Sequence, residues 1–371
     1  MRRFISLPLL VTATTFLGIW YPVSLYSETK SIFLLGIATT LYNLNNAIGS
    51  YVWGDLLDRT KRRLEYGILL PSLLSLSAYL MNGQLNEGLI GYSLAGFTSA
   101  LNSPLYSLIL LENYSFEDVP KINSRLSQLT LIGNATGSIS AIFVSSSVFP
   151  LLLCLTSIPL SVIALLGSKG KVNIDKPSRT RSIRELSGAL LSFASFNFSA
   201  EIFFTAYVPF NYLMGNPESI IYVSYFLLYL ADEGVYYLAG KWTNNREVFF
   251  MSFSIAGRAL LVLTVSVLLK LGIRSGEYSV PVFMIFGSFY PLFGTSFFSF
   301  MFRNLKKNRG SIIGIFNAVE DIANIGGSSV VSFLGNDLGL DYLVAFYSFV
   351  LSAVTLYSFI SKRLNSPSSS Y

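Results

Sequence analysis

The sequence contains no histidine and only one cysteine among its 371 residues. Without imidazole groups, the chain cannot use histidine for acid–base catalysis, proton relays or metal binding. A single cysteine cannot form an intramolecular disulfide or a thiolate metal cluster, and Cys154 lies in an apolar run where we expect a packing role. The sequence therefore predicts no metal site and no cofactor.

Charge is also scarce, since Asp, Glu, Lys and Arg make up 12% of the chain. Soluble globular proteins carry about a quarter charged residues. Hydrophobic residues make up 52%, and the mean hydropathy is +0.55, which excludes an ordinary soluble enzyme and a disordered chain. The net charge of +6 is too small to indicate a nucleic-acid partner. The composition instead favours a polytopic membrane protein.

Apolar stretches long enough to cross a bilayer recur along the whole chain. A helix needs about 20 apolar residues to span the hydrocarbon core. The first stretch follows two arginines but is long and has no small-residue cleavage site, so we interpret it as an uncleaved span. The sequence predicts twelve spans, at residues 4–26, 32–54, 64–83, 89–111, 126–146, 148–167, 186–213, 219–240, 248–270, 279–302, 311–334 and 341–361.

The basic residues alternate with these spans. The two termini and the even-to-odd turns hold 22 Lys and Arg residues, whereas the odd-to-even turns hold three, and only Arg258 lies within a span. Because cytoplasmic loops are enriched in Lys and Arg, we expect both termini to be cytoplasmic in the cell membrane. The basic segment 168–185 is then a cytoplasmic linker between two halves.

The two halves resemble each other at an offset of 187 to 190 residues. Pro104 of span four corresponds to Pro291 of span ten. The pattern Asn-x-x-Gly-Ser at 134–138, with a phenylalanine five residues later, recurs at 324–328 in span eleven. All matches join span n to span n+6, which indicates a parallel six-plus-six repeat. We expect the glycines of this pattern to let helices approach closely.

The turn after span two reads Gly-Asp-Leu-Leu-Asp-Arg-Thr-Lys-Arg-Arg over residues 54–63. It resembles the signature loop of the major facilitator superfamily, Gly-x-Leu-Ala-Asp-Arg-x-Gly-Arg-Arg. The matching positions are Gly54, Leu56, Asp58, Arg59, Arg62 and Arg63. Leu57 replaces the alanine and Lys61 replaces the second glycine. Because residues other than glycine resist positive φ, Lys61 could alter the local geometry of the turn.

The resemblance extends to the number of spans, their orientation, the central loop and the repeat. It implies an all-α polytopic membrane protein with twelve transmembrane helices in two parallel-repeat six-helix bundles. The bundles would comprise residues 1–167 and 186–363, followed by a tail at 364–371. In the family, the aspartate at the position of Asp58 meets the cytoplasmic start of span eleven, here near Ser311. The resemblance thus makes the six matching residues gating residues rather than solute ligands.

Ionisable side chains lie in the middle of spans only in the second half of the chain. They are Glu201, Asp232, Glu233, Arg258, Glu320 and Asp321. Since a charge at the bilayer centre costs at least about 2.5 kcal/mol, we treat them as candidates for proton coupling or for binding a cationic solute. The alternative is a buried ion pair of Arg258 with Asp232 or Glu233. One arginine cannot pair with five acids, and Glu201 and Asp321 are the preferred functional candidates.

Neutral polar side chains are the other candidates for a cavity. They are Asn45, Asn46, Asn134 and Asn324. Together with the family resemblance, they predict a secondary transporter that moves a small organic solute by alternating access with proton coupling. We expect a monomer whose partners are the solute, H⁺ and the lipid bilayer.

Two alternatives to a transporter stay open. The first is a protein of transporter fold that binds a partner as a receptor or scaffold without transport. The second is an intramembrane enzyme of aspartyl type, which would need a pair such as Asp232 and Asp321. Because the chain has no Ser/His, Cys/His or His/Glu set, we predict that it is not an enzyme.

Overall fold

The computed structural model describes residues 2–114, 119–143, 146, 148–167, 183–243, 246–273, 275–304, 309–335 and 337–364. These residues form thirteen α-helices and two short 3₁₀ turns, at Arg2–Phe4 and Gly276–Tyr278. The helices are α1 (Leu7–Thr29), α2 (Ile32–Arg59), α3 (Arg63–Met81), α4 (Leu85–Ser99), α5 (Asn102–Asn113), α6 (Val119–Phe143), α7 (Val148–Leu165), α8 (Ile183–Leu213), α9 (Glu218–Trp242), α10 (Glu247–Lys270), α11 (Ser279–Asn304), α12 (Arg309–Leu334) and α13 (Leu338–Leu364).

The predicted all-α fold class is confirmed, because the described residues contain helices, turns and irregular segments but no strand. Each predicted span coincides with one helix, except the fourth, which corresponds to α4 and α5 together. Seven helical segments are long and apolar enough by length and composition to cross a membrane. They lie in α1, α3, α7, α8, α10, α11 and α13.

The interruption between α4 and α5 has two causes, a proline within the span and a hydrogen bond from another helix. Pro104 has no N–H to donate to the carbonyl of Ala100, and its ring disfavours continuation of the preceding helix. The amide of Leu101 donates to Thr98 at 3.0 Å, in a tightened turn. The carbonyl of Phe97, four residues before Leu101, accepts the indole N–H of Trp53 on α2 at 2.8 Å. The span is therefore broken where another helix supplies the hydrogen bond.

The described helices divide into two compact units. The first unit comprises Met1–Lys30, Ile37–Asp175 and Asn216–Leu230. In it α1 packs against α6 and α7, and α3 packs against α4 and α7. Its buried core includes Leu10, Leu57, Leu70, Leu105 and Cys154, which is packed as predicted.

The second unit comprises Ser31–Gly36, Lys176–Gly215 and Ala231–Tyr371. In it α8 packs against α12 and α13, and α10 packs against α11 and α13. Three ring pairs with centroids 3.7 Å apart join α8 to α11, namely Phe196–Phe293, Phe203–Phe286 and Tyr207–Phe283. The predicted domain boundaries stay a prediction, since most of the linker 168–185 lies outside the described residues.

The internal repeat is visible in side-chain packing as well as in sequence. Ser138 and Ser328 are both fully buried, and each donates to the carbonyl four residues earlier, at 3.0 and 2.9 Å. Phe143 and Phe333 are 80% and 83% exposed. Equivalent residues of the repeat thus occupy equivalent environments in the two units.

The repeated glycines lie at two equivalent helix crossings. A Cβ added to Gly137 on α6 would lie 2.6 Å from the carbonyl oxygen of Thr12 on α1. A Cβ added to Gly327 on α12 would lie 2.6 Å from the carbonyl oxygen of Phe198 on α8. The predicted role of these glycines in close helix approach is confirmed.

Candidate functional site

Arg63, at the start of α3, is the buried arginine of the signature loop, with 2% of its side chain exposed. Its Nη2 donates to Oε1 of Glu112 on α5 at 2.6 Å, and its Nε donates to both carboxylate oxygens at 3.0 and 3.2 Å. Its Nη1 donates to the carbonyls of Leu57 and Thr60 at the end of α2. The planar guanidinium therefore fastens the end of α2 to α5 within the first unit.

The other charged residues of the loop are exposed. Arg59 pairs with Asp55 at 2.7 Å on the same helix, and Arg62 pairs with Glu65 at 3.3 Å. Asp58 is exposed as well. Its predicted contact with the start of span eleven involves side chains outside the described residues, so the gating roles stay predictions.

At the remaining signature-loop positions, Gly54, Leu56 and Lys61, the structure shows no special packing or backbone constraint. An added Cβ at Gly54 would meet no atom within 4 Å, and Leu56 is 36% exposed. Among the described residues other than glycine, only Lys30 has a positive φ. Lys61 therefore adopts an ordinary backbone conformation in place of the family glycine.

Arg258 on α10 is completely buried among aromatic rings. Its guanidinium carbon lies 4.3 Å from the ring centroid of Phe286 and 4.7 Å from that of Phe196. Its Nε donates to the carbonyl of Phe286 at 2.9 Å, and its Nη2 lies 3.4 Å from the carbonyl oxygen of Gly287. Its Nη1 has no hydrogen-bond partner among the described residues. Ring faces and backbone carbonyls thus replace the water that this cation has lost.

Two of the predicted carboxylates lie near this cation. Asp232 on α9 interacts electrostatically with Arg258, but no hydrogen bond or ion pair joins them among the described residues, and Oδ1 of Asp232 has no partner. The ring centroid of Tyr290 on α11 is 5.8 Å from Arg258, and its hydroxyl lies 3.5 Å from Oε1 of Glu320 on α12. The structure therefore brings together Asp232, Arg258 and Glu320, which we call the charged cluster.

The other three ionisable candidates take no part in these contacts, although Asp321 follows Glu320 in the chain and interacts with it electrostatically. Glu201 on α8 accepts a hydrogen bond from Thr205 at 3.2 Å. A Cβ added to Gly327 would be 2.8 Å from Cβ of Glu201, so Glu201 lies at the crossing of α8 and α12. Glu233 and Asp321 are half-buried, and no hydrogen bond or ion pair to either is found in the described part of the chain.

The asparagine candidates have different surroundings. Asn45 donates to Ser93 at 2.6 Å, and Asn46 donates to the carbonyl of Gly96 at 3.2 Å, so both tie α2 to α4. Oδ1 of Asn134 on α6 accepts from the hydroxyl of Thr15 at 2.8 Å. Asn324 is half-buried at the corresponding position of α12.

Only Asn134 among these four lines the cavity that the first unit contains. This cavity has a volume of about 350 Å³ and lies between α1, α2, α4, α5, α6 and the start of α9. Ten of its thirteen lining residues carry a hydroxyl or an amide and none carries a charge, so it suits an uncharged polar ligand. They are Val11, Thr14, Thr15, Gly18, Ile19, Tyr42, Tyr92, Ser99, Asn102, Thr130, Asn134, Tyr225 and Tyr229.

The polar groups of the cavity are partly engaged with one another. The rings of Tyr42 and Tyr92 have centroids 4.8 Å apart, and the hydroxyl of Tyr42 lies 3.2 Å from that of Ser99. Oδ1 of Asn102 is buried and has no hydrogen-bond partner within the residues that the structure describes. The cavity therefore presents an acceptor that a ligand could satisfy.

Sequence reasoning missed the tyrosines of the cavity, because a tyrosine within a span has no signal that separates it from a packing residue. The spacing of Tyr225 and Tyr229, one turn apart on α9, was the one sequence signal that these two side chains share a helix face.

Sequence reasoning also missed Asp341, which the predicted spans place at the edge of span twelve. Asp341 is fully buried, and neither of its carboxylate oxygens has a hydrogen-bond partner among the residues described.

Comparisons with known proteins agree with this architecture. A family model described as Major Facilitator Superfamily matches residues 4–328. A search of curated proteins finds no match. Solved structures with a similar fold include a bacterial homologue of the iron transporter ferroportin in an inward-facing state, with a TM-score of 0.75 and 15% identity over 97% of this chain and 98% of that one.

Two further solved structures show the same fold at low identity. A D-xylose–proton symporter has a TM-score of 0.74 and 14% identity over 96% of this chain and 97% of that one. A nucleoside transporter has a TM-score of 0.68 and 12% identity over 96% and 99%. The predicted twelve-span fold and the prediction of a transporter rather than an enzyme are confirmed. By its sequence match and its fold, this multi-pass membrane protein belongs to the major facilitator superfamily.

Proposed function

We propose that the chain moves a small organic solute across the cell membrane by alternating access, and that protons are coupled to this movement. The charged cluster carries the proposal. In the described part of the chain, Oδ1 of Asp232 and Nη1 of Arg258 both lack hydrogen-bond partners, although the two side chains interact electrostatically. A charged Asp232 can approach Arg258, and a protonated one loses that attraction. Proton binding would thereby bias two arrangements of α9 and α10.

Glu320 connects the pair of Asp232 and Arg258 to two further helices, α11 and α12. Its Oε1 lies 3.5 Å from the hydroxyl of Tyr290, whose ring is near the guanidinium of Arg258. A change in charge at Asp232 would therefore alter the electrostatic interactions of side chains on α9, α10, α11 and α12. Such a connected set of side chains can carry the coupling of a proton to helix movement.

Glu201 is a second candidate for the coupling carboxylate. A Cβ at Gly137 would contact Thr15, and a Cβ at the equivalent Gly327 would contact Glu201. Thr15 lines the cavity of the first unit, so Glu201 takes the matching position of the repeat. We retain Asp321 and Glu233 as further candidates, and Asn324 as a polar contact for the solute.

We further propose that the protein works as a monomer with both termini in the cytoplasm. The bundles 1–167 and 186–363 would move about a central pathway, joined by the linker 168–185. Asp58, Arg59 and Arg62 would form and break contacts at the cytoplasmic side during this movement. Gly54, Leu56 and the buried Arg63 would shape the loop that presents them.

Transport can be tested without knowing the solute. Purified protein is reconstituted into liposomes and incubated with a mixed pool of small organic solutes, and retained solutes are identified by mass spectrometry. We expect at least one solute to be enriched over empty liposomes, and its retention to change when a pH gradient is imposed. Protein that binds a solute without enriching it inside liposomes would instead be a receptor or scaffold.

Variants of the charged cluster test the coupling separately. Asp232→Asn keeps the shape of the side chain but cannot exchange a proton, and we expect it to abolish the response to the pH gradient. Glu87→Gln, on an exposed residue at the start of α4, is the matched control and should respond like the wild type. An unchanged response in Asp232→Asn, Glu320→Gln and Glu201→Gln would exclude these carboxylates as the coupling groups.

A further inference from the structure

We infer that the cavity of the first unit binds an uncharged polyhydroxylated solute, of the class of monosaccharides and sugar alcohols. The inference rests on the proposed transport function and adds the chemical class of the solute. Three features of the cavity support this class of solute: its charge, its hydrogen-bonding groups and its aromatic faces.

The charge of the cavity is the first argument. None of its thirteen lining residues is ionisable except tyrosine, and the ionisable mid-span residues all belong to the second half of the chain. A charged solute would lose its hydration there without meeting a charge of opposite sign. A divalent metal ion would meet neither a carboxylate nor an imidazole, which are its usual protein ligands.

The hydrogen-bonding groups give the second argument. Oδ1 of Asn102 is buried without a partner in the described ranges and can accept a hydrogen bond from a hydroxyl group. Oδ1 of Asn134 accepts a hydrogen bond from the hydroxyl of Thr15 at 2.8 Å, and its amide NH₂ group is a hydrogen-bond donor in the lining of the cavity. Hydroxyl and amide groups reach the cavity from six helices. Because a hydroxyl both donates and accepts, a solute with hydroxyls around its whole periphery matches such a lining.

The aromatic faces give the third argument. Tyr42 and Tyr92 form a pair of adjacent rings on one side, and Tyr225 and Tyr229 project from one face of α9. Each tyrosine offers an apolar ring face and a polar hydroxyl, which suits a solute with both C–H and O–H groups. A volume of about 350 Å³ is near the lower limit of small-molecule pockets and favours a small solute.

The class can be tested by binding to the full chain in lipid nanodiscs. The uncharged probes are xylose, glucose and mannitol, and the charged probes are lactate, choline and Mn²⁺. Binding is measured by calorimetry and by the shift in Tm. We expect saturable binding of at least one uncharged probe and none of the charged probes.

Two substitutions link binding to the cavity. Asn102→Leu removes the acceptor that has no partner in the described part of the chain, and Asn134→Leu removes an amide donor of the cavity lining. Each should weaken binding of the uncharged probe about tenfold or more. Asn82→Leu, on an exposed asparagine after α3, is the matched control and should leave the affinity unchanged. Deoxy analogues of the bound probe, tested on the wild type, give the same information should a variant fail to fold. At least one missing hydroxyl should weaken binding by a similar factor.

The inference is overturned by binding of a charged probe that depends on Asn102, by failure of all uncharged probes, or by deoxy analogues that bind as well as the parent. Its failure is distinguishable from that of the transport proposal. Enrichment of a charged solute in liposomes would leave transport intact and contradict the class. Binding of a sugar that depends on Asn102, without enrichment in liposomes, would support the class and contradict transport.

Discussion

At the scale of single residues, Arg63 and Arg258 are both buried but are satisfied by different chemistry. Arg63 has a carboxylate partner, Glu112, and two backbone carbonyls. Arg258 contacts aromatic ring faces and donates to backbone carbonyls. The carboxylate of Asp232 interacts with it electrostatically but forms no ion pair with it among the described residues. The first arrangement is suited to holding two helices together, and the second leaves a charge free to respond.

Glu112→Gln should destabilise the protein because it leaves the buried guanidinium of Arg63 without a counter-charge. We expect the free energy of unfolding to fall by about 3–5 kcal/mol, measured by denaturant unfolding in detergent. Glu65→Gln, which breaks the exposed pair with Arg62, is the control and should cost about 1 kcal/mol or less. Equal losses in the two variants would show that the buried pair contributes no more than an exposed one.

Arg258→Lys keeps the charge but loses the planar group that lies between two rings. We expect the free energy of unfolding to fall by about 2 kcal/mol, the value of a desolvated cation–π contact. The matched control is Arg246→Lys, on an exposed residue at the start of α10, which should change stability little. A lysine at 258 with wild-type stability would mean that charge alone, and not guanidinium geometry, is needed there.

At the scale of helices, stability depends on close crossings that repeat in the two units. Gly137 allows α6 to meet α1, and Gly327 allows α12 to meet α8. The neighbouring atoms at both crossings are backbone carbonyl oxygens, which cannot move aside as a flexible side chain could. A single methyl group therefore has to displace a whole helix.

Gly137→Ala should lower the free energy of unfolding by about 1–3 kcal/mol, since its Cβ would lie 2.6 Å from a backbone oxygen. The control is Gly234→Ala on α9, where an added Cβ meets nothing within 4 Å. There alanine should raise stability by up to about 1 kcal/mol, because glycine is a poor helix former. Changes of the same sign in both variants would contradict the crossing geometry.

The sequence was sufficient to predict the helices but not the details within them. Hydropathy and the alternation of basic residues located each span, because a bilayer imposes a fixed length and a fixed side for charge. The break after Ser99 was not predicted, since it depends on the indole of Trp53 taking over a carbonyl of α4. A proline within a span does not by itself predict a break in the helix, because Pro209 lies inside the continuous helix α8.

The candidate site was also predictable only in part, because its contacts join residues that are far apart in the sequence. Burial of Arg258, Asp232 and Glu320 within spans follows from the sequence, because ionisable residues stand out against apolar neighbours. Their assembly around Tyr290 requires four helices to meet, which no local pattern encodes. The neutral cavity was missed because hydroxyl and amide residues occur in spans for many reasons.

At the scale of the whole molecule, the distribution of basic residues predicts the orientation in the membrane. Asn86→Cys and Lys61→Cys, each in a Cys154→Ser background, place a single thiol at an exposed site on either side of α3. We expect a membrane-impermeant maleimide to label the cysteine at 86 in intact cells and that at 61 only after permeabilisation. The reverse pattern would invert the proposed topology.

The most direct test of the account is simultaneous measurement of solute and proton movement through one protein. Liposomes containing the purified chain and a pH-sensitive dye in the lumen are given an inward gradient of the enriched solute, with no pH gradient. We predict that the luminal pH changes with solute entry in the wild type, and that Asp232→Asn removes the pH change. Solute entry at an unchanged luminal pH in the wild type would contradict proton coupling and leave a uniporter.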